Sequence, residues 1–150
     1  TGRANQRGEV IIQTRHASHV ALQNFMRGGY NEFASIILEE RKNGRMPPFW
    51  RLAILKANSR ALTTSIKFLA SCEDFIQDIN NKYHQKVESI GPFPAPLEKR
   101  GGKFRAHLML KSNTQATLQR LLTELVKRLD KIKTKPGLKW YLDVDPADLT

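Results

Sequence analysis

Lys103-Phe104-Arg105-Ala106-His107-Leu108-Met109-Leu110-Lys111 alternates with a period of two. On a pleated strand Phe104, Ala106, Leu108 and Leu110 share one side, and Lys103, Arg105, His107, Met109 and Lys111 share the other. The first set requires a core, and the second is rich in cations. Immediately downstream, Ser112-Asn113-Thr114 supplies helix-capping oxygens. Leu118, Leu121, Leu122, Leu125, Leu129 and Ile132 then recur at helical spacing, so the strand feeds a helix that ends before Lys135-Pro136-Gly137. A second alternating strand follows, with Leu138, Trp140, Leu142 and Val144 inward and Lys139, Tyr141, Asp143 and Asp145 outward, until Pro146 stops it.

Upstream, the basic loop Lys99-Arg100-Gly101-Gly102 precedes this strand. Lys86 to Phe93 reads as a weaker strand ended by Gly91-Pro92-Phe93-Pro94-Ala95-Pro96, because proline donates nothing to a ladder. Before it, Leu62, Ile66, Leu69, Cys72, Ile76, Ile79 and Tyr83 form one apolar stripe of a long helix, with Cys72 a core thiol. Phe49 to Lys56 is an apolar strand with Trp50, Leu52 and Ile54 on one side and Phe49, Ala53 and Leu55 on the other; Trp50 and Trp140 are read as core. Strand, helix, strand, strand, helix, strand is the split β-α-β order of an α+β, ferredoxin-like domain. Both helices then cover one face of a four-stranded antiparallel sheet. The other face is expected to be open, and it carries Lys103, Arg105, His107, Lys111, Lys139 and Tyr141.

Residues 1–45 follow a different pattern. Glu9 to Thr14 reads as a short strand, and two helices divided at Gly28-Gly29 run to Asn43-Gly44. A lone strand leaves its edges unpaired, so this part is expected to be a piece of a larger protein, with the complete domain at 46–150.

Composition narrows the function. The 150 residues are 40% hydrophobic and 26% charged, which is globular composition. No apolar run has the length of a membrane span, and the single cysteine leaves no internal disulfide and fits a reducing compartment. The net charge of +11 makes a polyanion the leading partner. Residues 1–45 contribute seven basic and four acidic groups, so most of the excess lies in 46–150.

Lys99, Arg100, Lys103, Arg105 and Lys111, on a glycine turn beside an open sheet face, are the first candidates for DNA phosphates, with Lys139 and Tyr141 beside them. Lys131, Lys133, Lys135 and Lys139 form a second basic run, although helix ends favour cations in any case. His16 and His19 lack the carboxylate neighbours of a metal site, and no catalytic triad or paired carboxylates can be assembled.

Gly91-Pro92-Phe93-Pro94-Ala95-Pro96, the turn Lys99-Arg100-Gly101-Gly102, and Leu138-Lys139-Trp140-Tyr141-Leu142-Asp143-Val144-Asp145-Pro146 together resemble the C-terminal end of the PriA family of bacterial primosomal helicases. Gly8 to Thr14 and Glu39 through Phe49 are similar to that family's last helicase strand and its connection to the C-terminal domain. Gly2-Arg3-Ala4 resembles the tail of helicase motif VI, with Arg3 as its remnant, although Asn5 and Gln6 stand where Gly and Arg are expected.

The resemblance implies a parent protein that is an ATP-dependent, 3′-to-5′ DNA helicase of superfamily 2, acting at stalled or branched forks and initiating primosome assembly. It implies ATP, Mg²⁺ and Zn²⁺ for that parent, and none for this chain, which has no phosphate loop, acidic Mg²⁺ motif or paired cysteines. It implies an S10-like C-terminal domain that binds branched and single-stranded DNA in the cytoplasm, associated with the nucleoid. That domain would also dock the tail of single-stranded DNA-binding protein, with Lys111, Gln115, Gln119 and Arg120 as the candidate residues, alongside other primosome proteins. Two alternatives remain at this stage: a stand-alone RNA-binding ferredoxin-like module, disfavoured because charge rather than stacking aromatics faces outward near Lys103, and a protein-docking module without a nucleic-acid role.

Overall fold

The computed structural model describes residues 11–147, in two compact units, one through Glu40 and one from Arg41. Arg3 lies outside the described residues. Of the strand expected over Glu9–Thr14, Glu9 and Val10 also lie outside, and residues 11–14 carry no regular structure. No strand of the described sheet pairs with them, and an unpaired strand has no ladder to hold it. Helix α1 (Val20–Asn43), which lies in the first unit up to Glu40, is broken at Gly29, whose φ of 78° and ψ of −167° only glycine adopts without strain. Phe25 and Phe33, on either side of that break, meet edge to face at 5.6 Å.

The second unit has strands β1 (Arg51–Ser59), β2 (Glu88–Arg100), β3 (Lys103–Ser112) and β4 (Lys139–Val144), with helices α2 (Leu62–Lys82) and α3 (Gln115–Leu129). The sheet order is β2-β3-β1-β4 and every neighbouring pair is antiparallel, which is the ferredoxin-like arrangement. Ala53, Leu55 and Ala57 of β1 and Ala106, Leu108 and Leu110 of β3 face the helices, as alternation requires. Leu69, Cys72, Ile76 and Ile79 of α2 and Leu118, Leu121, Leu125 and Leu129 of α3 close the core over them. Each buried leucine or isoleucine of this set contributes about 1.5–3 kcal/mol on leaving water. Burial pushes the Cys72 thiol up to about 12, so its nucleophilic thiolate is scarce at neutral pH.

Local hydrogen bonds fix the connections. Ser59 Oγ and Ser65 Oγ share a buried bond of 2.8 Å that ties the end of β1 to the start of α2. Asn80 donates from Nδ2 to the Val87 carbonyl and accepts from the Val87 amide, both at 3.0 Å, steering α2 into β2. Thr114 caps α3 by accepting from the Thr117 amide.

Three expectations are corrected. β1 begins at Arg51 and runs to Ser59, leaving Phe49 exposed and Trp50 half-buried ahead of the strand rather than in the core. β2 does not stop at its prolines but continues to Arg100; as an edge strand it needs partners on one side only, so Pro92, Pro94 and Pro96 are tolerated. The accommodation is visible in the register: from Pro94 to Lys99 β2 advances five residues while β3 advances two, and the surplus bulges. Finally, Val144, read as inward, is exposed at the end of β4.

Candidate nucleic-acid interface

The face of the sheet away from the helices takes its composition from the register. Lys103, Arg105, His107, Met109 and Lys111 alternate along β3, Lys56 lies between His107 and Tyr141, and Asn58 lies between Arg105 and Lys139. All six side chains expected on this face are therefore on it. It is not, however, an open platform. Arg105, His107 and Lys111 are only 8%, 1% and 6% exposed.

Two straps account for that burial. At one end, the turn after α1 brings the Gly44 carbonyl to 2.9 Å from Lys111 Nζ, which donates to it. At the other, the bulged part of β2 sets the Leu97 carbonyl 3.5 Å from Arg105 Nη1. Between them His107 meets the edge of Phe93, with ring centroids 6.4 Å apart, and Lys56 Nζ pairs with Asp143 Oδ2 at 2.9 Å. Lys111 and Arg105 are thus structural cations, spent on backbone carbonyls. This corrects their placement as free phosphate ligands.

The accessible cations gather at the β2–β3 turn. Gly101 and Gly102 have φ of 57° and 72°, the left-handed conformation that a tight two-residue hairpin demands at both central positions. The turn sets Arg100 directly opposite Lys103, and like charges so placed disfavour the fold slightly. Lys99 points to the other face, with Nζ 5.1 Å from the centre of the Phe104 ring. Among the described residues none of Lys99, Arg100, Lys103 and Lys139 has an ion-pair partner. Lys139 opens β4 opposite Asn58, at the same end of the sheet, since Ser59 is opposite Phe104. Tyr141, 40% exposed, follows on the same face. Repulsive cations on a glycine turn, with an exposed aromatic ring two strands away on the same face of the sheet, can follow a phosphate backbone while stacking one base.

The four residues expected to dock a partner tail do not converge. Lys111 is buried on Gly44. Gln115 and Gln119 are exposed one turn apart on α3. Arg120 turns elsewhere, its guanidinium 5.6 Å from the centre of the Tyr83 ring, in a groove of about 420 Å³ shared with Trp50, Gln85 and Thr117. Trp50 carries the Arg45 guanidinium over its ring at 5.3 Å. Among the described residues no group of three or more His, Cys, Asp or Glu is placed to share a metal ion, and no helix is long and apolar enough to cross a membrane.

Residues 42–147 match the family model described as the primosomal protein N C-terminal domain. The replication restart protein PriA of Haemophilus influenzae is 34% identical over 149 residues, covering 99% of this chain and 20% of that protein. The replication restart protein PriA of Synechocystis is 27% identical over 153 residues, covering 99% of this chain and 17% of that protein. The chain therefore spans about one fifth of the length of these relatives. A de novo designed protein, Foldit4, superposes on 65% of the chain at 11% identity with a TM-score of 0.44, too low to bear on the fold.

Proposed function

The chain belongs to the primosomal protein N C-terminal domain family, and from that premise we propose that it supplies a DNA-gripping surface to a replication-restart helicase. The parent unwinds DNA 3′ to 5′ with ATP at stalled or branched forks and starts primosome assembly in the cytoplasm, at the nucleoid. ATP, Mg²⁺ and Zn²⁺ belong to parts of such a protein outside these 150 residues. The work of this chain is binding: phosphates lie along Lys99, Arg100, Lys103 and Lys139, and a base of the single-stranded arm stacks on Tyr141.

The observation that carries this reading is the hairpin tip, where a glycine turn holds Arg100 opposite Lys103 and neither has an ion-pair partner among the described residues. Such an arrangement opposes folding mildly and gains only when an anion arrives. Anisotropy titrations with labelled forked DNA test it: the variant K99Q/R100Q/K103Q is expected to bind at least about tenfold more weakly than the unaltered chain. Equal affinity would refute the hairpin, and tighter binding of RNA than of DNA would favour the stand-alone RNA module instead.

Docking of the tail of single-stranded DNA-binding protein is a second part of the proposal, supported by the exposed pair Gln115 and Gln119 on α3. Replacing both with alanine is expected to weaken a tail peptide without changing DNA affinity.

A further inference from the structure

A cavity of about 320 Å³ lies between the first turns of α2 and the segment that leads into β4. Lys67 lines it from α2, and Lys133 and Lys135 line it from the segment. The hydroxyl-bearing residues Thr64 and Thr134 line it too, and no carboxylate does. Among the described residues none of the three lysines has an ion-pair partner. Three like charges drawn from distant parts of the sequence into one concavity repel one another until an anion enters. The first turn of α2 holds no acidic residue, and its N-cap, Ala61, offers no side-chain oxygen, so the partial positive charge of that helix end adds to the same field. Phe68 and Leu138 line the cavity with apolar surface.

Its position matters as much as its charge. α2 starts just after β1 ends at Ser59, opposite Phe104, and Ser65 Oγ donates to the Phe104 carbonyl at 3.4 Å. The cavity is therefore at the same end of the sheet as the β2–β3 turn and Lys139. Lys99, Arg100, Lys103 and Lys139 lead toward Lys67, Lys133 and Lys135 around one rim.

We infer that the cavity is a phosphate site that takes one phosphodiester of single-stranded nucleic acid, with Lys67, Lys133 and Lys135 contacting its oxygens. This rests on the reading that the chain grips DNA, and it extends the track from the hairpin to the helix side of the sheet. The test is a nitrogen-15 NMR titration of the full chain, first with inorganic phosphate and then with a short oligothymidylate, following the Thr64 and Thr134 amides. Anisotropy with the same oligonucleotide is measured on K67Q/K133Q/K135Q and on K99Q/R100Q/K103Q, each checked for folding by thermal melting.

Phosphate is expected to shift both amides in the unaltered chain and neither in the cavity variant. The oligonucleotide should displace it, and the cavity variant should lose about 5- to 20-fold in oligonucleotide affinity, with a salt slope shallower by about 0.7, the share of one phosphate. Unmoved amides overturn the site, as does a cavity variant that binds normally while the hairpin variant does not, an outcome that leaves the DNA reading standing. Phosphate that the oligonucleotide cannot displace assigns the cavity to a free anion and overturns its nucleic-acid role. Loss of affinity in the cavity variant alone supports the site and overturns the hairpin.

Discussion

The His107 imidazole is held in the sheet with Nε2 unpartnered. Burial first, then the charges of Lys56 and Arg105, push its pKa down to about 4 from an ordinary 6.5, with Asp143 opposing them. The folded state thus keeps His107 neutral, while the unfolded chain protonates it more readily. Its stabilising contribution is complete above about pH 6.5 and is lost as the pH falls toward 4. Denaturant melts should show about 2 kcal/mol less stability at pH 5 than at pH 7, and His107→Met should flatten that slope. An unchanged slope in the variant would place the sensitivity elsewhere. Asn80 offers a second residue-scale test: Asn80→Ala leaves the buried amide and carbonyl of Val87 without partners and is expected to cost about 2–3 kcal/mol in the same melts. Neither role was legible beforehand. Alternation assigned His107 to an open face, and the strap that shuts it in depends on a bulge no periodicity reports. Asn80, at the C-terminal end of a helical stripe, looks like any polar residue until Val87 is seen beside it.

Among the elements, the helices and inner strands were legible because each repeats one signal many times. The stripe from Leu62 to Tyr83 and the leucines from Leu118 to Leu129 can be satisfied only by a helix against a core. β2 was legible only to its first proline. The rule that prolines end strands holds for strands bonded on both sides, and nothing local in Gly91 to Pro96 says that this one lies at an edge. Its turn has the composition of a basic loop, although Gly101-Gly102 is also a hairpin signature. Gly102→Val forces a β-branched residue into a left-handed conformation, so it is expected to cost about 1–2 kcal/mol in thermal or denaturant melts and to weaken DNA binding by loosening the tip. A variant as stable as the parent chain would show that the turn rearranges freely.

For the molecule as a whole, a charge of +11 was enough to name a polyanion and not enough to say where it sits. The fold divides the basic residues by use. Lys56, Arg105 and Lys111 are held by Asp143 and by backbone carbonyls, whereas the hairpin, Lys139 and the cavity lysines gather without ion-pair partners among the described residues at one end of the sheet. The hairpin cations are legible in the sequence because they stand on a glycine turn. Lys67 is not legible there, being a single lysine on the polar side of an amphipathic helix that nothing in the sequence sets beside Lys133 and Lys135. The central claim is that this rim holds phosphates, and counterion release measures it directly. Affinity for single-stranded DNA should fall linearly with salt on logarithmic axes, and K99Q/R100Q/K103Q should reduce the magnitude of the slope by about 2, since each phosphate that is no longer neutralised removes about 0.7. An unchanged slope in that variant would contradict the account.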